Sequence, residues 1–153
     1  MKIAVIGAGL AGLTAASELS GFGFDVTVFD KARGPSGRMS TRRTDGRSFD
    51  HGAPYFTARA PAFRARVESW MAKGLVDRWD ARWVHLTEAG SAPVEDDVDR
   101  FVGVPRMSAL CRALSEGFET RFGVRLEDAV ARDVGSIAEL LALAPESDSG
   151  ARS

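Results

Sequence analysis

Residues 3 to 30 carry a pattern that few folds accommodate. Ile3-Ala4-Val5-Ile6 is a short apolar run, Gly7, Gly9 and Gly12 spell Gly-x-Gly-x-x-Gly, and Leu10 to Leu19 is rich in small helix formers. Val26-Thr27-Val28-Phe29 is a second apolar run, closing on Asp30. An apolar β-branched run bounded by glycine suits a strand buried on both faces of a parallel sheet. The order predicts strand, tight turn, helix and second strand, with Gly21 and Gly23 ending the helix. Gly7 permits the tight turn, Gly9 leaves the backbone bare where a pyrophosphate would approach, and Gly12 lets the helix pack close to the strand. Ala16, one helical turn further on, keeps that packed face small. The free N–H groups of Leu10, Ala11 and Gly12, at the positive end of the helix, suit an anion. Asp30 lies 18 residues beyond Gly12, where a carboxylate can accept ribose hydroxyls.

A secretory signal peptide is the competing reading, with Lys2 as its basic start and Ile3 to Ala16 as its apolar stretch. It leaves the glycine spacing and Asp30 unexplained, and it would send a chain with a single cysteine to an oxidising compartment. One cysteine among 153 residues forms no internal disulfide, which points to a reducing, cytoplasmic setting. The 20 basic and 21 acidic residues nearly cancel, which disfavours a globally basic nucleic-acid binder. No stretch reaches the ~18–20 uninterrupted apolar residues of a membrane span. Two histidines and one cysteine leave little material for a zinc site.

Directly after Asp30, residues 31 to 47 hold Lys31, Arg33, Arg38, Arg42, Arg43 and Arg47. Charge runs are most often solvated loops, but this one starts beside the acid, close to where phosphates would lie. Its Gly34-Pro35-Ser36-Gly37 core is turn chemistry. A guanidinium pairs well with a pyrophosphate, and Arg38, following Gly37, is the best placed to do so.

These residues resemble the flavin-containing amine oxidase superfamily: the glycine turn, the acid at the second strand end, and then Gly37-Arg38-Met39-Ser40-Thr41. The renalase-like branch of FAD-dependent oxidoreductases is the best match. Phe49 to Thr57 resembles its Asp-x-Gly-Ala-x-Tyr-Phe-Thr segment, and Trp79-x-Ala81-x-Trp83 and Val102 to Ser108 resemble bacterial members. The resemblance covers roughly residues 1 to 127. It implies FAD as cofactor, held by Gly7, Gly9, Leu10, Ala11, Gly12, Asp30 and Lys31, by Gly37, Arg38 and Met39, by Pro54 and Tyr55 near the flavin, and by Leu126 near the adenine. It also implies a small reduced substrate, an NAD(P)H isomer or an amine, with oxygen reoxidising the flavin. No residue of the chain stands out as catalytic. Many relatives carry two glycines before the arginine, where this chain has Ser36-Gly37. NAD as the direct ligand is the other cofactor reading, and the arginine segment argues against it by resemblance only.

Beyond the motif, Phe63, Val67, Trp70 and Met71 predict a core-facing helix from about Pro61 to Gly74. Trp79, Ala81 and Trp83 alternate with Asp80 and Arg82, predicting a half-buried strand whose tryptophans are sheet core or, alternatively, the wall of a planar-ligand pocket. Residues 88 to 99 are acidic and read as a solvated loop rather than a hard-cation site. A strand is expected over Phe101 to Val104. A helix follows with Ser108 as N-cap, though Pro105 allows an earlier start, and it places Met107, Leu110, Cys111 and Leu114 on one apolar face. Thr120 to Leu126 reads as a strand, and Val134, Ile137, Leu140 and Leu141 suggest one more helix. His51 and His85 read as surface residues.

The expected architecture is α/β: a Rossmann-type FAD/NAD(P)-binding fold with part of a mixed α+β substrate domain. Residues 1–60 would form the N-terminal part of the FAD-binding domain, 61–117 a partial substrate domain, 118–144 a return segment and 145–153 a disordered tail. Renalase-like proteins are about twice this long. The sequence therefore reads as truncated or frame-altered after about residue 127, and a non-catalytic fragment holding at most the ADP part of FAD stands as the alternative function.

Overall fold

A computed structural model describes residues 1–94 and 96–124. The opening pattern folds as its spacing predicts. Strand β1 (Lys2–Ile6) leads through the glycine turn into helix α1 (Leu10–Gly21), and strand β2 (Asp25–Asp30) returns parallel to β1, pairing Ile3 with Val26 and Ile6 with Phe29. Gly23, at φ +83, closes the helix-to-strand turn. Strand β9 (Glu119–Phe122) adds in parallel on the other side of β2, so the sheet order is β1-β2-β9. Eighty-eight residues lie between Asp30 and the return of the chain at Glu119, yet the register is unambiguous: Asp30 stands opposite Phe122.

Burial follows from that order. Val28 and Phe29 of the central strand are closed off from solvent, whereas Ile6 of β1 is 58% exposed. The expectation that β1 is buried on both faces does not hold among the described residues, because β1 has a strand partner on one edge only. Leu13 and Ala16 of α1 lie in the core against the sheet, as the small-residue face predicted.

The segment after Asp30 is more ordered than a basic loop. Gly37–Met39 forms a single 3₁₀ turn, and β3 (Thr41–Thr44) pairs antiparallel with β4 (Arg47–Asp50). Asp45 and Gly46 between them have φ of 47° and 73°. Two consecutive positive φ values in an Asp-Gly pair make the two-residue hairpin turn that matches strand twist.

Helix α2 (Pro61–Ala72) matches its predicted span, with Pro61 at the start and Gly74 at φ +69 beyond the end. Val67 and Trp70 are buried, and Phe63 and Met71 pack at the margin of the same core. Helix α3 (Met107–Ser115) buries Met107, Leu110 and Cys111, the expected face. Strands β5 (Val76–Arg78) and β8 (Phe101–Gly103) pair antiparallel, and Phe56 bonds to the main chain of Phe101 from the other side. A separate hairpin, β6 (Val84–Thr87) with β7 (Gly90–Pro93), is exposed along its length.

Three further expectations change. Residues 79–83 are not a strand: the ring centroids of Trp79 and Trp83 lie 4.8 Å apart. Four positions of extended chain would separate the backbones by about 13 Å. The acidic stretch 88–99 is partly strand, and its Asp96 and Asp99 are engaged by Arg100, Arg64 and Arg78. Ser108 is not the N-cap of α3. That position is Arg106, which offers no side-chain cap. The cap comes from the β3–β4 hairpin instead: the Met107 N–H donates to Asp50 Oδ2 at 3.2 Å and the Ser108 N–H to Thr41 Oγ1 at 3.2 Å. Thr41 in turn donates to Asp50 Oδ1 at 2.5 Å. No helix among the described residues is long and apolar enough to cross a membrane. Leu126, the predicted helix around Val134 to Leu141 and the tail lie outside the described residues.

Candidate functional site

The three glycines of the turn are used differently. Gly7 sits at φ +105, which L side chains rarely adopt. A Cβ on Gly12 would overlap the Gly7 carbonyl oxygen, so the helix can lie this close to β1 only without one. Gly9 is required by neither argument. Its φ is −82°, and a Cβ there would meet only the Cα of Gly37, at an ordinary 3.9 Å. The protein's own packing therefore has room for a side chain at Gly9. It stands at the N-cap of α1, beside the helix end whose first internal bond runs from the Leu13 N–H to the Gly9 carbonyl at 3.0 Å. The preceding N–H groups of Leu10, Ala11 and Gly12 belong to the first turn and have no carbonyl four residues back to bond.

Asp30 is fixed at the strand end next to this turn. Its Oδ2 accepts from the Ala8 N–H at 2.6 Å and its Oδ1 from the Ala32 N–H at 2.8 Å. A carboxylate offers about four acceptor sites, so about two remain for hydroxyl donors. Ala8, the unremarked residue between two glycines, is thus the link between turn and acid. The Gly7 N–H donates to the Phe29 carbonyl at 2.7 Å, which locks the turn onto β2.

The Gly34–Gly37 loop lies on the turn. The Ser36 N–H donates to the Ala8 carbonyl at 3.1 Å, Ser36 bridges to Gly9, and a Cβ on Gly37 would come within 3.3 Å of the Gly9 Cα. Ser36 has φ 154° and ψ −28°. It is a non-glycine residue in a strained backbone conformation, and resemblance alone marked it, as a departure from two glycines. Arg38 is exposed and forms no ion pair among the described residues. Met39, grouped with it in sequence, is buried in the core. Lys31 is exposed next to Asp30.

The second motif docks onto the first through the backbone. The Ala53 N–H donates to the Arg38 carbonyl at 2.7 Å and the Gly52 N–H to the Ser40 carbonyl at 3.4 Å. A Cβ on Gly52 would overlap the Arg38 carbonyl oxygen. The Gly-Arg and Gly-Ala motifs, 15 residues apart from Gly37 to Gly52, thus form one contact. His51, exposed, lies 3.4 Å from the Ser40 hydroxyl, and His85 is exposed on β6.

Pro54 is exposed and Tyr55 half-buried. Tyr55 packs at 5.3 Å from Trp83 and 5.9 Å from Trp79. The Arg100 guanidinium lies 4.3 Å from the Trp83 centroid and pairs bidentately with Asp96 at 2.9 and 2.7 Å. Those bonds hold the Asp96 carboxyl below its usual range and raise the Arg100 guanidinium further. The tryptophans are therefore neither sheet core nor a bare pocket wall. They form an aromatic cluster closed by a cation. Arg100 escaped sequence reading because nothing local marks an arginine as stacked. Cys111 is buried, as expected, and desolvation pushes its thiol up to about 11.

The family model for the NAD(P)-binding Rossmann-like domain matches residues 5–73, which span β1 to α2. The 4,4'-diapophytoene desaturase (4,4'-diaponeurosporene-forming) of Staphylococcus aureus strain Newman is 50% identical over 52 residues, 34% of this chain and 10% of the desaturase. The same figures hold for the strain USA300 enzyme. The matched stretch thus spans about a tenth of the length of these relatives. Among solved structures, a mutant from a redesign of cofactor binding in putrescine oxidase is 26% identical over 63% of this chain and 22% of that chain, with a TM-score of 0.45. An oxidoreductase from Methanosarcina mazei is 25% identical over 62% of this chain and 25% of that chain, with a TM-score of 0.41. The fold of the N-terminal part is Rossmann-like, with the glycine turn at the head of its first helix.

Proposed function

We propose that the chain binds the ADP part of FAD at the Gly7–Gly12 turn and belongs to an FAD-dependent oxidoreductase of the amine-oxidase type, of the renalase-like branch. The observation that carries this reading is Gly9. It has an ordinary φ and room for a Cβ within the protein, at the mouth of a helix whose first N–H groups lack helical partners. The space a Cβ would fill suits a pyrophosphate. Asp30 keeps acceptor capacity for the ribose, and Arg38, one residue past the Gly9–Gly37 contact, offers a cation with no ion pair among the described residues. The residues therefore fit the cofactor. The 50% identity to desaturases over 52 residues and the resemblance of Gly37–Thr41 to flavin enzymes support FAD over free NAD.

In this reading the chain's own residues bind and orient. The helix end and Arg38 neutralise the phosphates, Asp30 fixes the ribose, and the Gly52–Ala53 contact holds the Arg38 main chain in place. When bound at these residues, FAD would supply two-electron chemistry, with a small reduced substrate such as an amine or an NAD(P)H isomer as hydride donor and oxygen, reduced to peroxide, as the final acceptor. The protein contributes position and electrostatics, with β9 returning the chain to the sheet beside β2. The test is a visible spectrum of the purified chain after FAD addition and gel filtration. A stoichiometric flavin band supports the reading, and a colourless protein that FAD cannot saturate overturns it.

A further inference from the structure

We infer that the Ser36 hydroxyl is a direct ligand of the phosphate bound at the glycine turn. The inference rests on the dinucleotide reading above and adds a residue that the motif does not contain. Ser36 is seated on the turn by its own backbone: its N–H is committed to the Ala8 carbonyl, and it bridges to Gly9. Its carbonyl is committed as well, accepting from the Met39 N–H at 3.0 Å and facing the Cys111 thiol at 3.9 Å. Only the side chain is left to act. The residue is 8% exposed, yet its hydroxyl has no hydrogen-bond partner among the described residues and is not sealed from solvent.

A hydroxyl in that position is a spare donor beside the mouth of α1. A glycine would take φ 154° and ψ −28° at lower cost, so the serine holds its side chain there against its backbone preference. The neighbouring donors, the first N–H groups of α1, follow directly on Gly9, the residue to which the Ser36 backbone is bridged. An O–H donor to a phosphate oxygen is a short, charge-assisted bond. It complements the helix end without adding charge, which leaves Arg38 as the cation.

Two variants and two ligands separate this role from a structural one. The dissociation constants of ADP and of adenosine, by competition against FAD fluorescence, and the apo Tm are measured for wild type, Ser36→Ala and Ser36→Gly. Ser36→Ala is expected to weaken ADP by about tenfold while leaving adenosine and the Tm unchanged. Ser36→Gly is expected to weaken ADP equally while raising the Tm, because the strain is relieved. Wild-type ADP affinity in Ser36→Ala overturns the inference and leaves the dinucleotide reading standing. So does an equal loss for ADP and adenosine, which would make Ser36 a support of the turn. A wild-type chain that binds neither FAD nor ADP overturns the dinucleotide reading itself, and the inference with it.

Discussion

Arg38 is held at its backbone, and its guanidinium is unengaged among the described residues. Its carbonyl accepts the Ala53 N–H at 2.7 Å, while its side chain is exposed and forms no ion pair among the described residues. Truncating it therefore removes a charge without breaking a native contact. Arg38→Ala is expected to weaken FAD binding by about 1–3 kcal/mol, from the loss of a charge-assisted hydrogen bond. The apo Tm should stay within error of wild type. A fluorescence titration beside a melt checks both. At this scale the sequence was informative where the demand on a residue is local. Gly7 and Gly12 follow from a turn and a helix packing on the strand before it. Ser36 was not legible as strained, because its φ is imposed by the Ala8 and Gly9 main chain, far back in the sequence. Met39 shares a motif with Arg38, yet its side chain faces the core.

At the scale of elements, the β3–β4 hairpin and α3 stabilise each other across 57 residues of sequence. Asp50 and Thr41 accept the first N–H groups of a helix whose own N-cap, Arg106, cannot. Asp50→Ala is expected to destabilise the fold by about 1 kcal/mol, the usual cost of a lost N-cap acceptor. The urea midpoint should fall with an unchanged m-value, and Asp50→Asn should recover part of the loss. Nothing in the sequence predicted this, since capping rules look for the acceptor just before the helix and point to Ser108. Periodicity failed at Trp79 to Trp83 for a related reason. Alternation of aromatic and charged residues fits a strand, but these rings meet each other and Arg100 rather than a sheet. By contrast, α1, α2 and β2 were legible almost to the residue. Their apolar spacing and their flanking glycines and proline are properties of the segment itself.

For the whole molecule, the near-zero net charge conceals specific pairing. Arg66 of α2 bonds Glu18 of α1, Arg64 bonds Asp99, and Arg100 bonds Asp96 within the aromatic cluster. The last pair has a definite pH signature. The Asp96 carboxyl is held below its ordinary value of 3.8 by the Arg100 hydrogen bonds, so its contribution is complete above pH 3.8 and is lost as pH falls below it. Asp96→Asn is therefore expected to lower the Tm at neutral pH, with the gap from wild type closing below pH 3.8. Thermal melts of both proteins across that range, followed by tryptophan emission, check it. A gap that widens in acid would contradict the assignment. The sequence showed an acidic stretch and a tryptophan pair but not that one arginine joins them. The β1-β2-β9 order is likewise a whole-chain property: β9 belongs beside β2 only because the intervening segment brings it back.

Gly9 is the one glycine of the turn that combines an ordinary φ with room for a Cβ among its own neighbours, so the dinucleotide site depends on it most. The most direct measurement is a paired one on Gly9→Ala: FAD affinity by fluorescence titration and apo Tm by melting. Replacing glycine by alanine at an N-cap costs about 1 kcal/mol or less, so the Tm should remain within about 5 °C of wild type. FAD affinity should fall by at least about tenfold, because the new Cβ occupies the approach of the pyrophosphate. A folded Gly9→Ala protein that binds FAD as tightly as wild type would contradict a dinucleotide site at this turn.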